Sequence, residues 1–155
     1  WLQDAGLVYK VPRCTKPALP LPVYEDLSAF KLYLLDIGLL GAMVDVEAVQ
    51  VLLANNIFSE YKGGMTEEYV LQQMTSHQQK PIYYHNSDSS RLEIDFLIQR
   101  NARLLLIEVK AEGNVRANSL SRLLGENEEL TAIRYSMLPY KEQGQLTNVP
   151  LYAVW

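Results

Sequence analysis

The chain is predicted to be an α/β domain, a central sheet with helices packed against it. Three observations carry that expectation. From residue 62 onward the apolar period reads as one helix, three strands, a second helix and two more strands. One of those strands, "ARLLLIEVKA", is apolar on both faces until Glu108, the pattern of a strand inside a covered sheet. The third is size: 155 residues with 48% hydrophobic and 21% charged residues suit one full core but not two ordinary domains.

Taken in order, "WLQDAGLVYKV" reads as a helix end, a Gly stop and then a strand. The chain opens on Trp1, and we expect it to be a piece of a longer protein. "TKPALPLPVYED" holds Pro17, Pro20 and Pro22, which exclude a helix interior or a central strand and predict an extended connector. A short strand is expected around Leu32 to Leu35, followed by a turn or short helix. "VEAVQVLLANNIF" has helical spacing and stops at Asn55 and Asn56. The next helix, "KGGMTEEYVLQQMTSHQ", is expected to begin after Gly63 and Gly64. The strands are then "PIYYH", "RLEIDFLIQ" and "ARLLLIEVKA", with the turn-rich "HNSDSSR" as a hairpin loop. "NSLSRLLGENEEL" places Leu120, Leu123 and Leu124 at helical spacing, and "TAIRYSML" and "VPLYAVW" close the sheet.

Composition narrows the function. Fourteen Lys and Arg against 18 Asp and Glu give a net charge of −4, a poor match to strong sequence-independent nucleic-acid binding. No apolar run approaches the roughly 20 residues that cross a bilayer, so no membrane partner is expected. With Cys14 alone and no basic-then-apolar leader, a cytoplasmic setting is expected. There is no G-x-x-x-x-G-K-[ST], which argues against P-loop ATP hydrolysis by these residues.

Charge inside the predicted sheet is the chemical signal. Strict alternation sets Leu92, Ile94, Phe96 and Ile98 on one face and Glu93, Asp95, Leu97 and Gln99 on the other. On the next strand Glu108 and Lys110 share a side, roughly 7 Å apart along the chain. On the helical wheel Glu67 falls with Val70, Leu71 and Met74, placing a carboxylate in an apolar stripe. A buried carboxylate must neutralise or find a cation. Three carboxylates and a lysine together suit a hard divalent cation such as Mg²⁺, with Lys110 orienting or deprotonating a bound water. Singly, Asp95 reads equally as a strand-end acid paired to a base, Glu108 and Lys110 as an ion pair, and Glu67 as a cap or salt bridge.

Other residues read plainly. His77 and His85 lack partners at metal-ligand spacing, although His85 precedes the hairpin before Asp95. Tyr33, Tyr83, Tyr84, Tyr135 and Tyr152 fall in strand runs and are expected to pack rather than stack on bases. Cys14 is read as incidental, and "NSLSR" around Ser119 and Ser121 lacks the glycines of a nucleophile elbow.

Glu67 in "MTEEYV", Asp95 in "EIDFLI", and Glu108 and Lys110 in "IEVKA" together resemble the signature of the PD-(D/E)XK nuclease superfamily. The order of "KLYLLDIGLL", "GGMTEEYVLQQM", "IYYH", "EIDFLI", "IEVKA", "NSLSRLL" and "VPLYAVW" resembles the uncharacterised C-terminal domain behind the ATP-binding module of archaeal-type and bacterial AAA+-like ATPases. That resemblance implies a restriction-endonuclease-like mixed central sheet flanked by helices over residues 31–155. It also implies a truncated winged-helix remnant and proline-rich connector over residues 1–30. Asp95, Glu108 and the main-chain carbonyl of Val109 would ligate Mg²⁺ or Mn²⁺, Lys110 would be the catalytic lysine, and Glu67 would complete the metal site. ATP would belong only to the ATPase module of the parent chain. The expected function is metal-dependent phosphodiester hydrolysis on nucleic acid, possible partners being DNA, the ATPase module and other proteins. The alternative is a non-catalytic docking or DNA-binding module that keeps the inherited fold. Arg91, Arg100, Arg103, Arg116 and Arg122 supply local positive charge, answered by Asp88, Glu93, Glu112, Glu126, Glu128 and Glu129.

Overall fold

A strand that is apolar on both faces needs a layer on each, and the computed structural model supplies them. It describes residues 1–44, 59–77, 81–87, 92–111 and 118–154. The elements are β1 (Val8–Cys14), β2 (Glu25–Leu34), α1 (Ile37–Val44), α2 (Ser59–His77), β3 (Ile82–Asn86), β4 (Glu93–Arg100), β5 (Arg103–Lys110), α3 (Asn118–Gly125), β6 (Thr131–Ser136), β7 (Lys141–Gln143) and β8 (Leu146–Pro150). They build one mixed eight-stranded sheet in the order β2-β1-β3-β4-β5-β6-β8-β7. The hairpins β1–β2, β3–β4, β4–β5 and β7–β8 are antiparallel, whereas β5, β6 and β8 run parallel to their neighbours in that series.

Side chains alternate across β5. Ile107 and Val109 pack with Val70, Leu71 and Met74 of α2, while Leu104 and Leu106 pack with Leu120 and Leu124 of α3. Each fully buried Leu contributes about 1.5–3 kcal/mol. Thus the two helices read from the apolar stripes cover opposite faces of the sheet.

Several boundaries differ from the expectation. α2 begins at Ser59, so Gly63 and Gly64 lie inside the helix; backed by packing of its later turns, it absorbs their unfavourable propensity. β2 runs from Glu25 to Leu34, longer than its apolar stretch, because its partner is β1. The expected division after residue 30 therefore falls within a strand. β1 in turn meets β3 at Arg13 and Tyr84, tying the N-terminal hairpin to the sheet. Ahead of it, Gly6 N–H to Gln3 O and Leu7 N–H to Leu2 O form a Schellman closure, with Gly6 at φ 70°. The helix expected from "VEAVQVLLANNIF" lies outside the described residues, as does the centre of "HNSDSSR".

At the other end, "VPLYAVW" is not a strand throughout. Leu146–Pro150 pairs with β6, and Leu151–Ala153 is a 3₁₀ turn. β7, absent from the sequence reading, enters by a two-residue turn in which Gly144 has φ 65°.

Candidate functional site at a fork in the sheet

The site begins with an irregularity in β4. Tyr83 pairs with Leu97 and His85 with Ile94, so Tyr84 faces two residues, Asp95 and Phe96. This is a β-bulge, which re-aims the side chains on either side of it. Ile94 and Leu97 consequently share the α3-side core, while Phe96 and Ile98 join the α2-side core. The expectation of simple alternation from Leu92 to Gln99 is corrected by this extra residue.

The bulge also splits the sheet. Pairing of β4 with β5 is registered as far as Phe96–Ile107. Beyond it β4 stays with β3 through Ile94 and Glu93, and β5 stays with β6 through Glu108, Val109 and Lys110. At the fork the Asp95 Oδ2 accepts the Val109 N–H at 2.7 Å, standing in for a strand carbonyl. Burial, and then the charge of Glu67, push the Asp95 carboxyl up to about 7; the Val109 N–H, Lys110 and Lys31 offset part of the rise.

Glu67 reaches the fork from α2. Its Oε2 accepts the Tyr33 hydroxyl at 3.0 Å and lies 3.7 Å from Lys31 Nζ. Lys31 Nζ also bonds Glu93 Oε1 at 3.2 Å and sits 5.2 Å above the Tyr84 ring. Burial disfavours the Lys31 ammonium, yet Glu67, Glu93 and Asp95 outweigh it and raise its pKa. Tyr33 is raised as well, by burial first and then by Glu67.

Glu108 belongs to a different constellation. It alternates with Ile107 and Val109, which face α2, and its cross-strand neighbour is Arg134. Arg134 Nε donates to Glu108 Oε2 at 2.8 Å, with Glu108 only 8% and Arg134 only 5% exposed. Lys110 Nζ lies 3.3 Å from Glu108 Oε1. The structure therefore brings Glu67 and Lys110 each into electrostatic reach of Asp95, and holds Glu108 against Arg134 and Lys110.

The fit of a divalent cation follows from these donors. Among the described residues no three His, Cys, Asp or Glu side chains are grouped closely enough to hold a metal ion. Glu108 has both oxygens engaged by cations, Glu67 is held by Tyr33 and Lys31, and Asp95 is held by a main-chain N–H. In this arrangement the acids do not fit a metal centre.

Sequence reasoning did not single out Lys31, Tyr33 as a hydrogen-bond donor, or Arg134. A lone Arg in the apolar run "TAIRYS" was a usable signal, since a buried guanidinium requires a carboxylate. His85 flanks the bulge, but its ring is engaged elsewhere: its Nδ1 meets the Cys14 carbonyl at 2.8 Å and ties β3 to β1. Cys14 is fully buried and donates to the Lys16 carbonyl; burial raises its thiol pKa.

These features define an α/β domain with a charged fork in a mixed sheet. Residues 62–152, more than half of the chain, match the family described as "Domain of unknown function (DUF4143)", and the chain belongs to that family. The family is typically found with AAA-type ATPases. Residues 1–50 match a second domain of unknown function, DUF8612. No curated protein matches the chain. Among the described residues no helix is long and apolar enough to cross a membrane.

Proposed function

We propose that this chain is a non-catalytic docking module working beside an ATPase, built on an inherited restriction-endonuclease-like sheet. The observation that carries this reading is the internal pairing of the fork: its acids are matched by Lys31, Tyr33, Arg134, Lys110 and the Val109 N–H. Paired in this way, the charges are satisfied within each half of the sheet, and the Asp95–Val109 bond joins the halves at the fork. A surface for a partner lies at the carboxyl ends of β5, β6 and β8, the end at which open α/β sheets present ligand sites. There a groove of about 660 Å³ is walled by Ile37, Met65, Tyr69, Met137, Leu151 and Tyr152. Met137 and Tyr152 are largely exposed, and flexible Met side chains adapt to an apolar partner segment.

The test is binding of this chain to the ATPase module of its parent protein, measured by calorimetry, with Met137→Asp and Tyr152→Asp as groove variants. Loss of binding in both variants supports docking. Binding that ignores both substitutions excludes the groove.

The nearness of Asp95, Glu67 and Lys110 favours a second reading, phosphodiester hydrolysis, which requires Glu108 to leave Arg134. Its test is calorimetry with Mn²⁺ and Mg²⁺, with DNA and RNA cleavage assayed in the same buffers on the native chain and on Glu108→Ala. Cleavage and saturable metal binding that both vanish in the variant would replace the docking reading.

A further inference from the structure

The Arg134 guanidinium is more than a partner for Glu108. Its hydrogen bond to that carboxylate runs through Nε, and among the described residues its terminal nitrogens bond no acceptor. Arg134 lines a second cavity, of about 340 Å³, on the α3 side of the sheet. Ser121 of α3, Gln143 of β7 and Gln145 of the following turn share its walls. Gln145 is fixed from outside, its Nε2 donating to the carbonyls of Asn127 at 2.7 Å and Leu130 at 2.9 Å. Ser121 and Gln143 are exposed and hold a hydroxyl and an amide at the rim.

Charge at this point favours an anion. Glu108 lies 2.8 Å from Arg134 and 3.3 Å from Lys110, so its one negative charge is shared between two cations and neutralises neither fully, while Lys110 also faces the Asp95 carboxyl. A guanidinium whose Nε is already anchored is pre-oriented: its outer edge presents a planar pair of N–H groups, the fork that matches two oxygens of an oxyanion. Partial enclosure strengthens the attraction relative to open water.

We infer that this cavity binds a phosphate group, gripped by the terminal nitrogens of Arg134 with Ser121 and Gln143 donating from the rim. A tetrahedral anion suits it, because donors stand on three separate elements, β6, α3 and β7, whereas a carboxylate would use the Arg134 fork alone. The same chemistry is offered by free phosphate and by the terminal phosphate of a nucleotide or a polynucleotide end. The site does not depend on the docking reading and lies on the opposite face of the sheet from α2.

The test is calorimetric titration of the native chain at constant ionic strength with inorganic phosphate, acetate, a nucleoside monophosphate and its nucleoside. Two variants accompany it. Arg134→Lys keeps a cation beside Glu108 but loses the planar fork, and Gln143→Glu adds a repelling charge at the rim without touching Glu108. We expect saturable phosphate binding, weakened at least about tenfold in each variant, with circular dichroism unchanged. Monophosphate binding tighter than inorganic phosphate, with none by the nucleoside, assigns the source to a nucleotide end; equal binding assigns it to free phosphate. Absence of saturable phosphate binding by the native chain, acetate binding as tight as phosphate, or native-like binding by a folded Gln143→Glu overturns the proposal.

Discussion

Asp95→Asn tests the electrostatics of the fork most directly. Asparagine keeps an oxygen for the Val109 N–H, which Asp95 accepts at 2.7 Å, but removes the ionisation. In the folded chain the Asp95 carboxyl rises from an ordinary 3.8 to about 7, burial being the main cause and Glu67 the next. Below the lower value both folded and unfolded chains hold the proton, and the stability associated with neutral Asp95 is fully present. Between the two values the unfolded chain releases its proton while the folded chain keeps it, so stability falls as pH rises. Above about pH 7 both forms are ionised and the loss is complete. At about 1.4 kcal/mol per pH unit the loss reaches about 4 kcal/mol. Because Asp95 is only partly buried as a residue, water reaches one side of it and this figure is a ceiling.

The expected result is a stability difference between the Asp95→Asn variant and the native chain that is near zero at about pH 4. It widens in favour of the variant to as much as about 4 kcal/mol at about pH 8. For a chain of this length that corresponds to roughly 8–16 °C in Tm. Urea unfolding of both chains across that range measures it. Parallel pH profiles, or a variant less stable than the native chain at the alkaline end, would refute the assignment of Asp95 as a strained, half-neutral acid.

Glu67→Gln removes the charge nearest in effect to Asp95 after burial; an NMR titration of the Asp95 carboxyl is expected to move its midpoint to lower pH. Arg134→Met takes from buried Glu108 its closer cation, leaving Lys110 on the other oxygen, and is expected to cost up to about 3–5 kcal/mol, whereas Glu108→Met combined with Arg134→Met costs less than the single change. Urea unfolding of the two variants decides it, and a double variant less stable than the single one would contradict the pairing. In the two-residue turn between β4 and β5, Asn101 and Ala102 have φ 49° and 59°. Ala102→Gly is expected to stabilise the chain by about 1 kcal/mol, read from thermal unfolding, because glycine adopts that left-handed conformation without the Cβ conflict.

Much of the sheet was legible because its strands declare themselves locally. β3, β4, β5 and β6 carry apolar residues whose period needs no knowledge of the partner strand, and α2 and α3 carry apolar stripes. β7 was not legible, since Lys141, Glu142 and Gln143 are all exposed and the strand exists only through its pairing with β8. β8 was read a few residues too late for a related reason. Its centre, Asn148, is polar yet almost fully buried, satisfied by the Ser136 hydroxyl and by the carbonyls of Leu138 and Pro139. A buried polar residue with distant partners breaks an apolar pattern without breaking the strand. The same limit applies to α2, where the helical wheel marks Glu67 although Glu68 is the more deeply buried, at 5%, with burial raising its pKa.

The acids Glu67, Asp95 and Glu108 could be picked out because carboxylates in apolar runs are conspicuous; what they face could not. Alternation alone places Asp95 on the face opposite Phe96, but the residue inserted in β4 makes the two a bulge against Tyr84, with Asp95 within reach of the Glu67 charge. Lys31 and Tyr33 are far from Glu67 in sequence and meet it only because β2 and β1 extend the sheet over which α2 lies. Arg134 is likewise brought to Glu108 by the parallel register of β5 and β6. A motif specifies which side chains stand at the fork, whereas register specifies their counter-ions. It is the counter-ions that separate an open metal site from a closed ionic lock. In this chain strand alternation sets Glu108 on the face opposite Ile107 and Val109, and there Arg134 at 2.8 Å and Lys110 at 3.3 Å engage its two oxygens.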